Sequence, residues 1–148
     1  MSVRTMKSGV VTDEIYAKGH ENITARHRTT LEITRDAEIT PRGDCIVGVR
    51  ADKSVKDLDE EIKRRIRERA KLKISLILPD YGKEISFHAS GSEKLELSHP
   101  TDVVIRKSGY TCPRTLAINS EIASADMDRE FADLLRDRKT TVILRIEV

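Results

Sequence analysis

The feature that most constrains the fold is a pattern of strand, helix and strand that occurs twice, 69 residues apart. In the first copy, apolar residues recur every four positions from Leu58 to Ile66, which predicts an amphipathic helix. The second copy repeats this spacing from Met127 to Leu135. Charged positions also match between the copies, which hydrophobic spacing alone does not explain. We therefore interpret the pattern as an internal duplication.

Apolar segments on either side of each helix predict strands. Cys45–Val49 is apolar on both faces and is typical of an interior strand. After the first helix, Leu72–Leu78 predicts a strand that forms a hairpin with Lys83–Ala89 across a Pro-Asp-Tyr-Gly turn. Further along the chain, Leu95–Ser98 matches Leu31–Thr34 with an offset of 64 residues.

A regular alternation of side chains precedes the first copy. From Ile23 to Thr34, residues on one face of an extended chain are mostly apolar and those on the other face are polar or charged, which predicts one long, half-buried strand. His27 falls in its middle, on the apolar face. Val10–Ala17 is also strand-like, and Ser54 with Asp57 predicts a capped start for the first helix.

These segments predict an α+β fold of two tandem β-β-α-β repeats related by a pseudo-twofold axis. Repeat 1 spans residues 20–78 and repeat 2 spans residues 84–147, after an N-terminal leader and strand in residues 1–19. We expect a mixed or mainly antiparallel sheet or barrel with the two helices packed on it. Residues 1–148 are predicted to form a single domain.

The balance of charge excludes some classes of protein. The chain has 27 basic and 25 acidic residues, a net charge of +2, no Trp and 3% aromatic residues. A dedicated duplex-DNA binder usually has a strong basic excess, and a single-strand binder needs aromatic residues for stacking. With no apolar span and no secretory signal, we expect a cytoplasmic protein. The density of charges is typical of a thermophile.

Two residues are candidates for catalysis, each with a structural alternative. A buried His27 would serve as a general base or would be satisfied by a neighbour in the core. Asp44 would be a functional acid or a turn-former. Cys45, which follows it, is an activated thiolate or an inert core residue, with the inert role favoured. A Cys45–Cys112 disulfide is left open.

Five residues are candidates for binding a ligand. His20, Glu21 and Asn22 concentrate polar groups in one turn, and Arg42 and Arg114 follow prolines in corresponding turns of the two repeats. Such arginines can hold an anion, or they are solvated loop residues. We predict no metal site, because no spacing typical of metal ligands occurs.

The runs Gly19–Ile23, His27–Thr34 and Arg42–Val49 resemble those of an archaeal family of domains of unknown function. The resemblance covers nearly the whole chain from Gly19 onward. It implies an archaeal, single-domain, cytoplasmic protein. It carries no activity, cofactor or catalytic residue that could be transferred to this chain.

Two hypotheses of function follow from the sequence. The first is binding, with catalysis left open, of a small anionic ligand in a polar pocket between the repeats, because polar residues interrupt the apolar pattern there. The alternative is an RNA- or protein-binding accessory module that uses the Arg-rich surfaces. Neither a cofactor nor an oligomeric state can be read from the sequence.

Overall fold

The computed structural model describes residues 9–148, so the predicted leader lies, except for Gly9, outside the described residues. In chain order the strands are β1 (Thr12–Lys18), β2 (Thr30–Thr34), β3 (Ile46–Gly48), β4 (Lys71–Leu78), β5 (Lys83–Ser90), β6 (Asp102–Arg106), β7 (Thr115–Ala117) and β8 (Thr141–Glu147), and the helices are α1 (Glu60–Arg67) and α2 (Arg129–Leu134). Both sheets and both helices contribute to one hydrophobic core. The predicted α+β class is confirmed.

Sheet I is antiparallel and has the spatial order β1-β8-β4-β5. Its strands form because polar and apolar residues alternate: in β4, Leu72 and Ile74 are buried, whereas Lys71 and Lys73 are exposed. The predicted hairpin of β4 and β5 is confirmed. Its turn ends at Gly82, whose φ of 62° is readily adopted by glycine.

Sheet II has the order β3-β2-β6-β7. The central strands β2 and β6 are antiparallel, and each has a parallel neighbour at the edge of the sheet. Leu31 and Ile33 face the core, while Thr30, Glu32 and Thr34 on the opposite face are also almost fully buried. Sheet II therefore carries a polar layer that lies outside the apolar core.

The start of α1 differs from the prediction. The Asp57 carboxylate accepts a hydrogen bond from the Ser54 N–H (3.0 Å), as the sequence indicated, but this closes a 3-10 turn, Val55–Asp57. The α-helix begins at Glu60, where Asp59 caps the free N–H groups of the first turn. Beyond the cap, Ile62 and Ile66 are fully buried, which confirms the predicted apolar stripe.

The two halves of the chain have the same order of elements, β-β-β-α-β, in β1–β4 and in β5–β8. Each sheet is symmetric, since its two central strands come from different halves. The predicted match between Leu95–Ser98 and Leu31–Thr34 is wrong, because Leu95–Ser98 lies in the irregular segment before β6. Its counterpart is the segment before β2. A common origin of the halves stays a prediction, as do the repeat boundaries.

Three other predictions about strands are wrong. Of the strand predicted for residues 23–34, only Thr30–Thr34 forms, because Ala25 adopts a left-handed φ of 51°. Ile23 and Ala25 are buried without being in a strand, and this produced the misleading alternation. β3 is an edge strand and not an interior one; Val49 just after it is buried because it bridges to Lys18. The sheets are open, so the barrel alternative is also wrong.

Candidate functional site

The two predicted catalytic residues, His27 and Asp44, lie in neighbouring segments. The backbone carbonyl of Asp44 accepts hydrogen bonds from the N–H groups of Arg26 (2.9 Å) and His27 (3.2 Å). This contact joins the turn before β2 to the loop before β3. The structure thus brings the two residues together through the backbone, and a joint role of their side chains stays a prediction.

The His27 side chain caps a turn and does not lie in the middle of a strand. Its Nδ1 accepts hydrogen bonds from the backbone N–H groups of Thr29 (3.2 Å) and Thr30 (3.1 Å). An accepting Nδ1 has no proton, so the neutral ring carries its proton on Nε2. His99 caps the start of β6 in the same way. Only Nε2 of His27 is therefore left to exchange a proton with a ligand.

Three exposed arginines lie on the two segments that make this contact, and we call them the arginine edge: Arg26, Arg28 and Arg42. Within residues 9–148, none of the three forms an ion pair with a carboxylate. Arg42 comes from the loop before β3, whereas the other two flank His27 in sequence. The arginine edge therefore carries positive charge that the described part of the chain does not neutralise by direct pairing.

A second cluster, the acid centre, lies on the polar layer of sheet II and consists of Glu32, Asp102 and Arg114. Arg114 Nη1 lies 3.1 Å from Asp102 Oδ2 and 3.7 Å from Glu32 Oε1. Burial and then the neighbouring Asp102 carboxylate raise the pKa of Glu32. Arg114, a predicted ligand-binding residue, therefore has its charge matched inside the protein by two carboxylates.

Cys45 borders the acid centre and is a poor nucleophile. Its thiol donates a hydrogen bond to Glu32 Oε1 at 3.4 Å. Burial and then the Glu32 carboxylate raise the pKa of Cys45 to about 12, so the thiol is protonated at neutral pH. This favours the inert role of Cys45. Both cysteines are free, so the disulfide that the sequence left open is not formed.

Cys112 has the more acidic thiol of the two cysteines, and the sequence offered it only as a disulfide partner of Cys45. Partial burial raises the pKa of Cys112, but the Thr115 hydroxyl, the Arg114 backbone N–H and the Arg106 guanidinium lower it to about 7. Arg106 Nη2 lies 3.4 Å from Cys112 Sγ. Arg106 reaches Cys112 from β6, and no local motif in the sequence indicates this contact.

The three residues of the predicted ligand-binding turn, His20, Glu21 and Asn22, meet Glu38 and Arg138 in what we call the His20 corner. His20 is 1% exposed; its Nδ1 accepts the Asn22 N–H (3.0 Å), so its Nε2 donates to Glu38 (2.9 Å). Arg138 binds the carboxylates of Glu21 (2.7 Å) and Glu38 (3.1 Å). The groups predicted to hold a ligand hold one another.

Two carboxylates of the His20 corner are held in their charged form. The Arg138 guanidinium, which donates hydrogen bonds to Glu21, is the main cause that lowers the pKa of Glu21 to about 2. His20 and then Arg138 lower the pKa of Glu38. His20 is the buried member of an otherwise exposed ionic network. The corner is therefore a surface closure held by charge-assisted hydrogen bonds.

The corresponding corner of the second half is open. A cleft of about 400 Å³, which we call the Ser92 cleft, is lined by residues that include Arg69, Ser92, Lys94, Gly109 and Thr111. Two further clefts, of about 340 Å³ and 350 Å³, lie beside α2 and at the exposed face of sheet I. The residues predicted to form a site line none of these three clefts.

Two general features of the described chain bear on function. No cluster of three or more His, Cys, Asp or Glu side chains in residues 9–148 is arranged to hold a metal ion. Over the same residues, no helix has the length and apolar character needed to cross a membrane.

Residues 15–148 match the model of a protein family that is described as a domain of unknown function, DUF371. An uncharacterized protein of the archaeon Methanocaldococcus jannaschii is 44% identical over 128 residues. The match covers 86% of this chain and 93% of that protein. The similarity thus extends over both halves of the fold, from β1 to β8.

Proposed function

This chain belongs to the DUF371 family, and we propose that it binds a small anionic ligand at the arginine edge. The contact between the Asp44 carbonyl and the N–H groups of Arg26 and His27 carries this proposal, because it places two arginine-bearing segments side by side. Arginines bind carboxylates and phosphates in a bidentate manner, and these arginines have no ion-pair partner within residues 9–148.

His27 and Asp44 supply the proton-transferring groups of the proposed site. The N–H on Nε2 of His27 donates to a bound anion, since Nδ1 is occupied by the turn. The Asp44 carboxylate, which is half-buried, accepts a hydrogen bond from a hydroxyl or amine of the ligand. Conversion of the bound ligand by these two groups is the second part of this proposal.

The arginine edge is preferred to the other predicted ligand-binding residues for an electrostatic reason. Arg114 is neutralised by Asp102 and Glu32, and His20 and Glu21 are engaged within the His20 corner. A ligand at either place would have to displace existing charge-assisted hydrogen bonds. At the arginine edge it would displace only water.

A titration with inorganic phosphate at low ionic strength tests the proposal. We expect amide shifts in the NMR spectrum that are confined to residues 26–28 and 42–44, and Arg28→Gln and Arg42→Gln should each weaken binding about tenfold. The matched control is Arg50→Gln, an exposed arginine next to the opposite end of β2, which should leave binding unchanged. Equal binding by all variants would contradict the proposal.

RNA is the second candidate ligand, and one observation favours it. The arginine edge is an open surface that lines none of the three clefts described above, and an extended phosphate backbone suits such a surface. Filter binding at low salt separates the candidates, because phosphate contacts with RNA weaken steeply as salt rises. No retention of RNA at low salt would exclude it. Either ligand fits a cytoplasmic protein, which we also propose.

A further inference from the structure

The Ser92 cleft and the His20 corner occupy the same place in the two halves. In each, a glycine directly after the first strand of the half abuts a backbone carbonyl of the other half: Gly19 that of Leu135, and Gly91 that of Ile66. The following residue caps the next turn in both, since His20 Nδ1 accepts the Asn22 N–H and Ser92 Oγ accepts the Lys94 N–H. The backbone frame of the two places is therefore the same.

The ion pairs beside this frame also correspond between the two halves. An arginine just after each helix binds the carboxylate that follows the turn residue: Arg138 binds Glu21, and Arg69 binds Glu93 at 3.1 Å. Arg138 also binds a second carboxylate, that of Glu38. Within residues 9–148, Arg69 has Glu93 alone as an ion-pair partner, and its side chain is 71% exposed. Arg69 thus has room for one more carboxylate.

Two differences in sequence leave the second place open. Ser92 stands where the first half has the imidazole of His20. Tyr110, four residues after the end of β6, stands where the first half has Glu38, four residues after the end of β2. The Tyr110 ring packs under the Arg106 guanidinium (4.9 Å) and is 61% exposed, so it does not fill the cleft. Compared with the His20 corner, the cleft lacks the planar ring of His20 and the second carboxylate, that of Glu38.

The chemistry of the cleft agrees with this deficit. Lys94 lines the cleft and forms no ion pair within residues 9–148, so it adds a second positive charge beside Arg69. Glu93 balances only one of these two charges. The volume of about 400 Å³ lies within the range of small-molecule sites. A neutral ligand would leave the extra positive charge without a partner.

From these contacts we propose that the Ser92 cleft binds a small carboxylate that contains a planar ring. The ring takes the place that His20 occupies in the other half, beside Ser92. The carboxylate takes the place of the Glu38 carboxylate and binds Arg69, with Lys94 nearby. The side chains of His20 and Glu38 in the first half thus serve as the template for the shape and charge of the proposed ligand. The site is separate from the arginine edge and does not depend on it.

Imidazole-4-acetate is a suitable probe, because it joins an imidazole ring to a carboxylate. We expect the full chain to bind it with a Kd of about 1 mM or tighter, given the affinity that so small a ligand can reach. The amide shifts in the NMR spectrum should centre on Gly91, Ser92 and Gly109. Acetate, which has no ring, should bind at least about tenfold more weakly.

Three variants decide whether the site is the one proposed. Arg69→Gln should weaken binding of the probe about tenfold or more, because a charge-assisted bidentate contact is lost. Ser92→His, which copies the other half, should abolish binding by filling the cleft. Arg138→Gln is the matched control in the His20 corner and should not change the affinity. Arg69 is exposed, so its replacement should not unfold the protein.

Several results would overturn this inference. Absence of binding at about 10 mM probe would contradict the expected Kd of about 1 mM and exclude the proposed site. Equal affinity of Arg69→Gln and the natural protein would show that the carboxylate is held elsewhere. Equal binding of acetate and the probe would show that the ring has no place in the cleft. Loss of phosphate binding at the arginine edge would affect none of these results.

Discussion

The His20 corner and the Ser92 cleft share a backbone frame and differ in what fills it. In the first half, a buried imidazole and a carboxylate close the surface; in the second half, a serine leaves about 400 Å³ open. The comparison shows that the contact between a glycine and a backbone carbonyl of the other half is present in both places, whereas the side chains beside that contact differ. In our proposal, the same position serves closure in one half and ligand binding in the other.

The largest expected effect concerns Gly19 and Gly91, the two glycines that lie against a backbone carbonyl of the other half. A Cβ at Gly19 would lie 2.4 Å from the Leu135 carbonyl oxygen, and one at Gly91 would lie 2.1 Å from that of Ile66. Gly19→Ala and Gly91→Ala should each lower the free energy of unfolding by about 3 kcal/mol or more, since backbone must move to admit the methyl group. Urea unfolding measures this.

The control for the glycine pair is Gly109→Ala, where the nearest atom would be 3.8 Å from the added Cβ. This change should cost less than about 1 kcal/mol. If the losses in the free energy of unfolding caused by Gly19→Ala and Gly91→Ala differ by more than about 2 kcal/mol, the two glycine contacts are not equivalent. The comparison between the His20 corner and the Ser92 cleft would then lose its basis.

The cysteines offer a second contrast between matching regions, because Cys45 and Cys112 lie in the loops before β3 and β7. With a pKa of about 7, Cys112 should react with iodoacetamide at neutral pH at least about 100-fold faster than Cys45, with its pKa of about 12. The thiol loses its proton as pH rises, so the rate at Cys112 should increase between pH 6 and pH 8 with a midpoint near 7.

Mass spectrometry of tryptic peptides measures both cysteine rates in one sample. Arg106→Gln removes the guanidinium beside Cys112 and should move the midpoint of its rate to higher pH, while the rate at Cys45 stays the same. Equal reactivity of the two cysteines would show that the contacts of Arg106 and Thr115 do not control the Cys112 thiolate.

His20→Ser tests the comparison directly, because it gives the first corner the side chain of the second. The change removes a fully buried ring and leaves Glu38 without its buried donor, so we expect a loss of about 2 kcal/mol in the free energy of unfolding. The reverse change, Ser92→His, enters open space and should cost less than about 1 kcal/mol. Similar losses from both changes would mean that the cleft is not open in solution.

The smallest effect is expected at the two turn-capping histidines. His27 Nδ1 and His99 Nδ1 each accept two backbone N–H groups, so His27→Ala and His99→Ala should each cost about 1 kcal/mol. His88→Ala, on the exposed face of β5, is the control and should change stability by less than about 0.5 kcal/mol. A much larger loss at His27 than at His99 would indicate a role for His27 beyond the cap.

Local patterns in the sequence predicted those helices and strands in which the buried residues recur with the period of the backbone. The stripe through Ile62 and Ile66 gave α1, and alternation gave the hairpin of β4 and β5, because burial follows the period of the backbone there. Ile23 and Ala25 misled the prediction because an irregular segment can also bury alternate side chains. Neither the left-handed φ at Ala25 nor the edge position of β3 has a local signal.

The clusters at the surface could not be predicted from spacing. Arg138 reaches Glu21 across 117 positions, and Arg106 reaches Cys112 only because β6 and the following loop fold back on one another. His27 and Asp44 were identified as polar interruptions, but their contact through the backbone depends on the pairing of β2 with β3. The origin of the chain in a thermophile also stays a prediction.

The exchange of strands in sheet I has a consequence for how the protein forms. β8, the last strand in the chain, lies between β1 and β4, so β1 finds its partner only after some 130 further residues have been made. Neither half can complete this sheet alone. During synthesis, β1 therefore lacks its neighbouring strand, and its apolar side chains stay exposed. We expect slow, late folding and a need for protection from aggregation until β8 emerges.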